Sequence, residues 1–140
     1  MEAEALIASL NRAISLEVRS FILYILEVAN PILGQEDLDA WELLGRIAEE
    51  EKGFAGMIAD LIEEAGGNAD PASFDMESAT YHYVTLDYLL KICVQRMQTS
   101  LESFRGVMEE VEDDPGVFEV LSWIADAKVR HLAEVTEVIR

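Results

Sequence analysis

Ile47-Ala48-Glu49-Glu50-Glu51-Lys52-Gly53-Phe54-Ala55-Gly56-Met57 is the stretch that decides the fold of this chain. At about 100° per residue, Ile47 and Phe54 continue an apolar stripe that begins at Leu44 and runs on through Ile58, Leu61 and Ala65. Glu51 stands on the same stripe. A carboxylate on a core face costs several kcal/mol unless it is paired or bound to a metal. The segment therefore reads as a helix made for burial that carries charge inward.

Three other segments share the helical period. The first carries Leu10, Ala13, Ile14, Phe21, Tyr24 and Val28 on one stripe. The third carries Leu86, Leu90, Cys93, Met97, Leu101, Phe104, Met108 and Val111, with Thr85 placed to cap it. The fourth carries Val117, Leu121, Ile124, Val135 and Val138. Turn residues separate them at Asn30-Pro31-Ile32-Leu33-Gly34, at Gly66-Gly67-Asn68-Ala69-Asp70-Pro71 and at Asp113-Asp114-Pro115-Gly116. The pattern predicts an all-α four-helix bundle, one domain over residues 1–140.

The loops set the topology. The first and third connections are short and predict antiparallel hairpins. The second runs from Gly66 to Val84. A helix of about 28 residues is roughly 42 Å long, and about 19 extended residues reach roughly 60 Å. That connection is long enough to cross the whole bundle, with Phe74, Tyr81, His82 and Tyr83 covering its side or lining a pocket. The two halves also resemble a weak internal repeat: Leu10, Ile14, Phe21 and Tyr24 superimpose in order on Leu90, Val94, Leu101 and Phe104.

Composition narrows the partners. The 140 residues carry a formal net charge of −18, which argues against nucleic acid and anionic membranes. The longest apolar run, Phe21–Leu26, is far short of a membrane span. The acidic start, Met1-Glu2-Ala3-Glu4, predicts no signal or transit peptide. Cys93 is the single cysteine, which rules out an internal disulfide and fits a reducing cytoplasm. Its place on a core stripe makes it a packing thiol.

Three polar residues interrupt the apolar faces: Glu17 in the first helix, Glu51 in the second and Lys128 in the fourth, with His131 three residues on. Here the chain resembles the rubrerythrin-like members of the ferritin-like superfamily, through Ile47–Met57 and through the spacing of Glu17, Phe21 and Tyr24. The resemblance extends over nearly the whole chain. It implies two metal ions inside the bundle, held by a Glu from each of two helices and a Glu-x-x-His pair from each of the others. It also implies chemistry on iron, peroxide or dioxygen.

Carried over residue by residue, Glu17, Glu51 and His131 match ligand positions. Phe54, Met97 and Lys128 stand where a histidine and two glutamates belong. Gln98 and Glu102 do not substitute, because they point about 100° and 140° away from Met97. The resemblance therefore implies a degraded site. Lysine cannot ligate while protonated, and its charge repels a metal.

One reading is a domain without a cofactor, non-catalytic, acting as a structural or protein-interaction module, with Lys128 paired to Glu17 and Glu51 in the core. The alternative is a metal-binding oxidoreductase or iron-handling protein that holds iron or manganese on Glu17, Glu51 and His131. A third is a small-ligand binder around Met97 and His131. Val18, Ile22, Ile25 and Ala29, widened by Leu23 and Leu26, form a second apolar stripe on the first helix, which predicts a homodimer through that helix.

Overall fold

The computed structural model describes residues 1–70 and 84–140. Four long helices run through it with one short one: α1 (Ala3–Val18), α2 (Phe21–Tyr24), α3 (Leu38–Glu64), α4 (Leu86–Glu110) and α5 (Pro115–Glu137). A π-helical turn, Ile25–Ala29, extends α2, and a 3-10 turn, Gln35–Asp37, leads into α3. The expected aromatics Phe74, Tyr81, His82 and Tyr83 lie outside the described residues.

The ends follow from local chemistry. Asn30 takes a left-handed conformation, φ 48°, which asparagine tolerates and which stops the π turn. Thr85 accepts from the Tyr88 amide at 3.3 Å and caps α4 as expected. Asp114 accepts from the Val117 amide at 3.3 Å, and Pro115 opens α5, where its missing N–H costs nothing.

α1 packs on α3 and α4, and α5 packs on α3 and α4. Contacts at the two ends of the bundle fix the direction of the crossover. Where α3 ends, the Asp70 amide donates to the Asn11 side chain at 2.7 Å. Where α4 begins, the Ile32 amide donates to the Val84 carbonyl at 2.8 Å. Asp70 therefore lies at one end of the bundle and Val84 at the other. At that second end the Arg140 amide also donates to Asp87 at 2.8 Å, which closes the α4–α5 hairpin.

Two findings correct the sequence expectations. The first segment is not one helix. It breaks at Arg19 and Ser20, where Ser20 turns extended (ψ 133°) and its hydroxyl caps α2 by accepting from the Ile22 amide at 3.2 Å. The second correction concerns the apolar surplus that pointed to a homodimer through this helix. Ile22, Ile25 and Ala29 are at most 1% exposed, packed with Leu44, Leu86, Leu89 and Cys93 of the same chain. The break and the π turn re-aim α2, so that all of Phe21 to Ile25 lies inside. Ile22, Ile25 and Ala29 are thus covered within the chain and do not themselves argue for a second copy.

Candidate functional site

Four helices bring the residues marked by the sequence to the middle of the bundle. Glu17 comes from the last turn of α1, Glu51 and Phe54 from the middle of α3, Met97 from α4, and Lys128 and His131 from α5. Glu51, Met97, Lys128 and His131 line one common cavity. Gln98 and Glu102 are exposed, as their angular position on α4 requires.

Lys128 meets Glu17 rather than both carboxylates. Its Nζ lies 2.5 Å from Glu17 Oε1, and the Glu17 side chain is 0% exposed. The approach is an ion pair by distance but a poorly aligned hydrogen bond, and Glu17 Oε2 has no hydrogen-bond partner among the described residues. The ammonium also sits 5.3 Å from the centroid of the Phe104 ring, whose face favours a cation. Burial pushes the Glu17 carboxyl up, against the Lys128 charge that holds it down.

Glu51 takes a different partner. Its Oε1 accepts from the Ser20 hydroxyl at 2.9 Å. Burial first, and then the Glu17 charge, raise its carboxyl to about 8, with Lys128 and Ser20 pulling the other way. Glu51 is therefore mostly protonated near pH 7. One ammonium cannot offset two desolvated carboxylates; a retained proton neutralises the second. Glu51 is thus held by the Ser20 hydroxyl, and Lys128 by Glu17.

His131 turns to the neighbouring acid. Its Nε2 lies 2.5 Å from Glu50 Oε2, and the residue is 2% exposed. Burial lowers its pKa, and Glu50 partly restores it. Phe54 stacks on the imidazole, ring centroids 6.0 Å apart, and meets Trp123 edge-on at 5.8 Å. Glu50 itself belongs to a surface network with Arg46 and Arg130, at 3.8 and 3.9 Å.

Neither Glu50 nor Ser20 stands out in the sequence. Glu50 is hidden in the run Glu49-Glu50-Glu51, where periodicity favours the member on the stripe. Arg46, one turn earlier, is the signal that could have found it. Ser20 lies three residues after Glu17 on the same face, but in a segment that reads as unbroken.

Among the described residues, no group of three or more His, Cys, Asp or Glu side chains is arranged to hold a metal ion. Glu17, Glu51 and His131 face Lys128, Ser20 and Glu50 respectively. The donor set does not fit the two-metal centre implied by the resemblance.

The bundle itself has clear relatives. The model of the family described as Ferritin, the ferritin-like domain, matches residues 7–140. This chain belongs to the ferritin-like domain family. Its fold is shared by a ferritin-like diiron-carboxylate protein from Bacillus anthracis, at TM-score 0.81 and 16% identity over 100% of this chain and 99% of that one. A Dps1 mutant from Mycobacterium smegmatis superimposes at TM-score 0.83 and 17% identity, over 99% and 97% of the two chains. The bacterioferritin of Desulfovibrio desulfuricans follows at TM-score 0.73 and 17% identity, over 98% and 79%. No curated protein matches significantly in sequence. At these identities the ferritin-like neighbours carry the fold alone. No helix among the described residues is long and apolar enough to cross a membrane.

Proposed function

We propose that this chain is a ferritin-like domain in which a lysine–glutamate pair stands in place of the two-metal centre, and that it serves as a non-catalytic structural or protein-interaction module of the cytoplasm. The observation that carries this reading is the contact between Lys128 Nζ and Glu17 Oε1 at 2.5 Å, deep in the bundle. A metal ion at Glu17 would have to displace a fixed ammonium, and two like charges in a low-dielectric core repel strongly. Phe54 and Met97 remove two further donors from the positions that the resemblance assigns to ligands. Buried Cys93, its thiol pushed up by burial, fits a reducing compartment.

One observation favours a second reading, an iron-handling protein with a reduced site. The close His131–Glu50 pair is the kind of carboxylate–histidine contact that orients a metal-binding imidazole. The Bacillus anthracis neighbour is described as a diiron-carboxylate protein. Elemental analysis of protein purified without chelators separates the two readings. The first predicts iron and manganese far below one ion per chain; about two ions per chain, as in an intact centre, would overturn it.

A further inference from the structure

Trp123 is the most exposed aromatic ring among the described residues, at 58%, although it stands within α5. It meets Phe54 of α3 edge-on at 5.8 Å, so the indole is fixed at the seam between the two helices. The helices run antiparallel there, with Glu50 on His131 and Arg46 on Glu134. Outward around α3 from Phe54, at about 100° per residue, come Met57, Gly53 and Gly56. Met57 and, on α5, Val120 are half-buried against the cluster that holds Phe54. Gly53 and Gly56 are exposed, and a Cβ at either would meet nothing within 4 Å. Glycine inside a helix is destabilising relative to alanine, and no close neighbour within the chain requires it at these two positions. The α3 backbone therefore lies bare beside an exposed indole, which leaves a recess with an aromatic wall.

Carboxylates flank this recess. Glu119 and Asp126 lie one turn before and one turn after Trp123 on α5, and Asp60 lies one turn beyond Met57 on α3. All three are exposed, and none has an ion-pair partner among the described residues. The exposed cations nearest along the two helices, Lys52 and Arg130, are engaged with Glu49 at 3.4 Å and Glu50 at 3.9 Å. A two-fold contact between copies through this face would set these carboxylates against one another. Anionic membranes and nucleic acid meet the same repulsion. The charge complement of the face is a cationic partner.

We propose that the α3–α5 face around Trp123 docks a basic amphipathic helix of a partner protein. An apolar side chain of that helix sits in the recess over Gly53, and its lysine or arginine side chains meet Glu119, Asp126 and Asp60. A helix laid on a seam between two helices is held through anchors spaced i, i+3, i+4 and i+7. Tryptophan is favoured at the centre of such contacts, and its ring face also attracts a cation. The net charge of −18 draws a basic partner from a distance. This helix is a partner for the interaction module proposed above and rests on that reading.

Fluorescence anisotropy of the full chain with a labelled amphipathic peptide of about 18 leucine and lysine residues, in about 0.15 M salt, tests the face. One-to-one binding with a Kd at or below about 10 µM is expected. Trp123→Ala should weaken it at least about tenfold. Glu119→Gln with Asp126→Asn should weaken it at least about fivefold. Glu102→Gln with Glu109→Gln, the same charge change at exposed positions of α4, should stay within about twofold of wild type. Gly53→Leu fills the recess and should weaken binding as Trp123→Ala does; leucine favours a helix, so this variant decides if Trp123→Ala unfolds. No saturation by about 200 µM, a Trp123→Ala Kd within about twofold of wild type, or equal losses in the two charge pairs would each overturn the proposal. A wild-type dimer in sedimentation that Trp123→Ala dissociates would give the face to a second copy and overturn it too. Absent binding by a chain far below one metal ion removes this partner alone; absent binding by a chain with about two ions removes the module reading as well.

Discussion

Glu17 is held out of water by a single partner, and that arrangement sets the expected behaviour of its neighbours. Lys128→Met leaves the Glu17 carboxyl buried and unpaired, which should cost about 3–5 kcal/mol in urea unfolding. Adding Glu17→Leu removes the orphaned charge and should recover most of that loss, because an apolar pair of similar volume often equals a buried ion pair. A Lys128→Met loss below about 1 kcal/mol, at the level of an exposed pair, would contradict the geometry. Glu51 gives a separate signature in pH. Its carboxyl lies near 8 in the folded chain and near 4.5 when unfolded, so between those values the folded state holds the extra proton. Its contribution is complete below about pH 4.5 and is lost as pH rises through about 8, at up to about 1.4 kcal/mol per unit. His131 has the opposite sign: burial lowers its pKa below 6.5, so its contribution is present above 6.5 and is lost as pH falls through the folded value. Melts of wild type and Glu51→Gln across pH 6.5 to 8.5 should converge at high pH in slope and differ in the middle; parallel curves would show that Glu51 stays ionised.

At the scale of elements, the break in the first helical segment is the feature that matters most for the centre. Ser20 caps α2 and donates to Glu51 with one hydroxyl. Ser20→Ala should therefore cost about 1–2 kcal/mol, the sum of a lost cap and a lost buried hydrogen bond, and should move the Glu51 carboxyl further up, read by carbon NMR of the side chain. A loss of a few tenths would mean that the break is held by packing alone. The long helices were legible in sequence because apolar spacing reports burial directly: Leu44, Ile47, Phe54 and Ile58, read from the wheel, are all core residues. Capping was legible at Thr85 for the same local reason. The break was not, because Ile14, Glu17, Phe21 and Tyr24 stay in phase through it, and a wheel registers angle rather than continuity. The expectation that Ile22 and Ile25 lie on an outer face follows from that one error, since a straight helix would have left them outside. The partners of Glu51 and His131 were equally invisible, as neither a serine hydroxyl nor one acid among three has a period of its own.

For the whole molecule, net charge and core charge separate by their response to salt. A chain at −18 repels itself, and screening relieves exposed charges over about 10 Å at 0.1 M salt. Raising salt from about 20 mM to about 0.5 M should raise the melting temperature of wild type and Lys128→Met alike, leaving their difference unchanged, because the buried pair is poorly screened. A difference that shrinks with salt would place that pair in water. The ferritin-like frame was visible because it is written in lengths and spacings; what occupies its centre depends on a few side chains. Rebuilding the missing donors as Phe54→His, Met97→Glu and Lys128→Glu together should weaken the chain without metal, as buried carboxylates repel. The most direct test is the shift in melting temperature on adding ferrous or manganous ion to wild type and to this triple variant. The account predicts a shift within about 1 °C for wild type and a rise of at least about 5 °C for the variant; a rise of that size in wild type, with Lys128 in place, would contradict it.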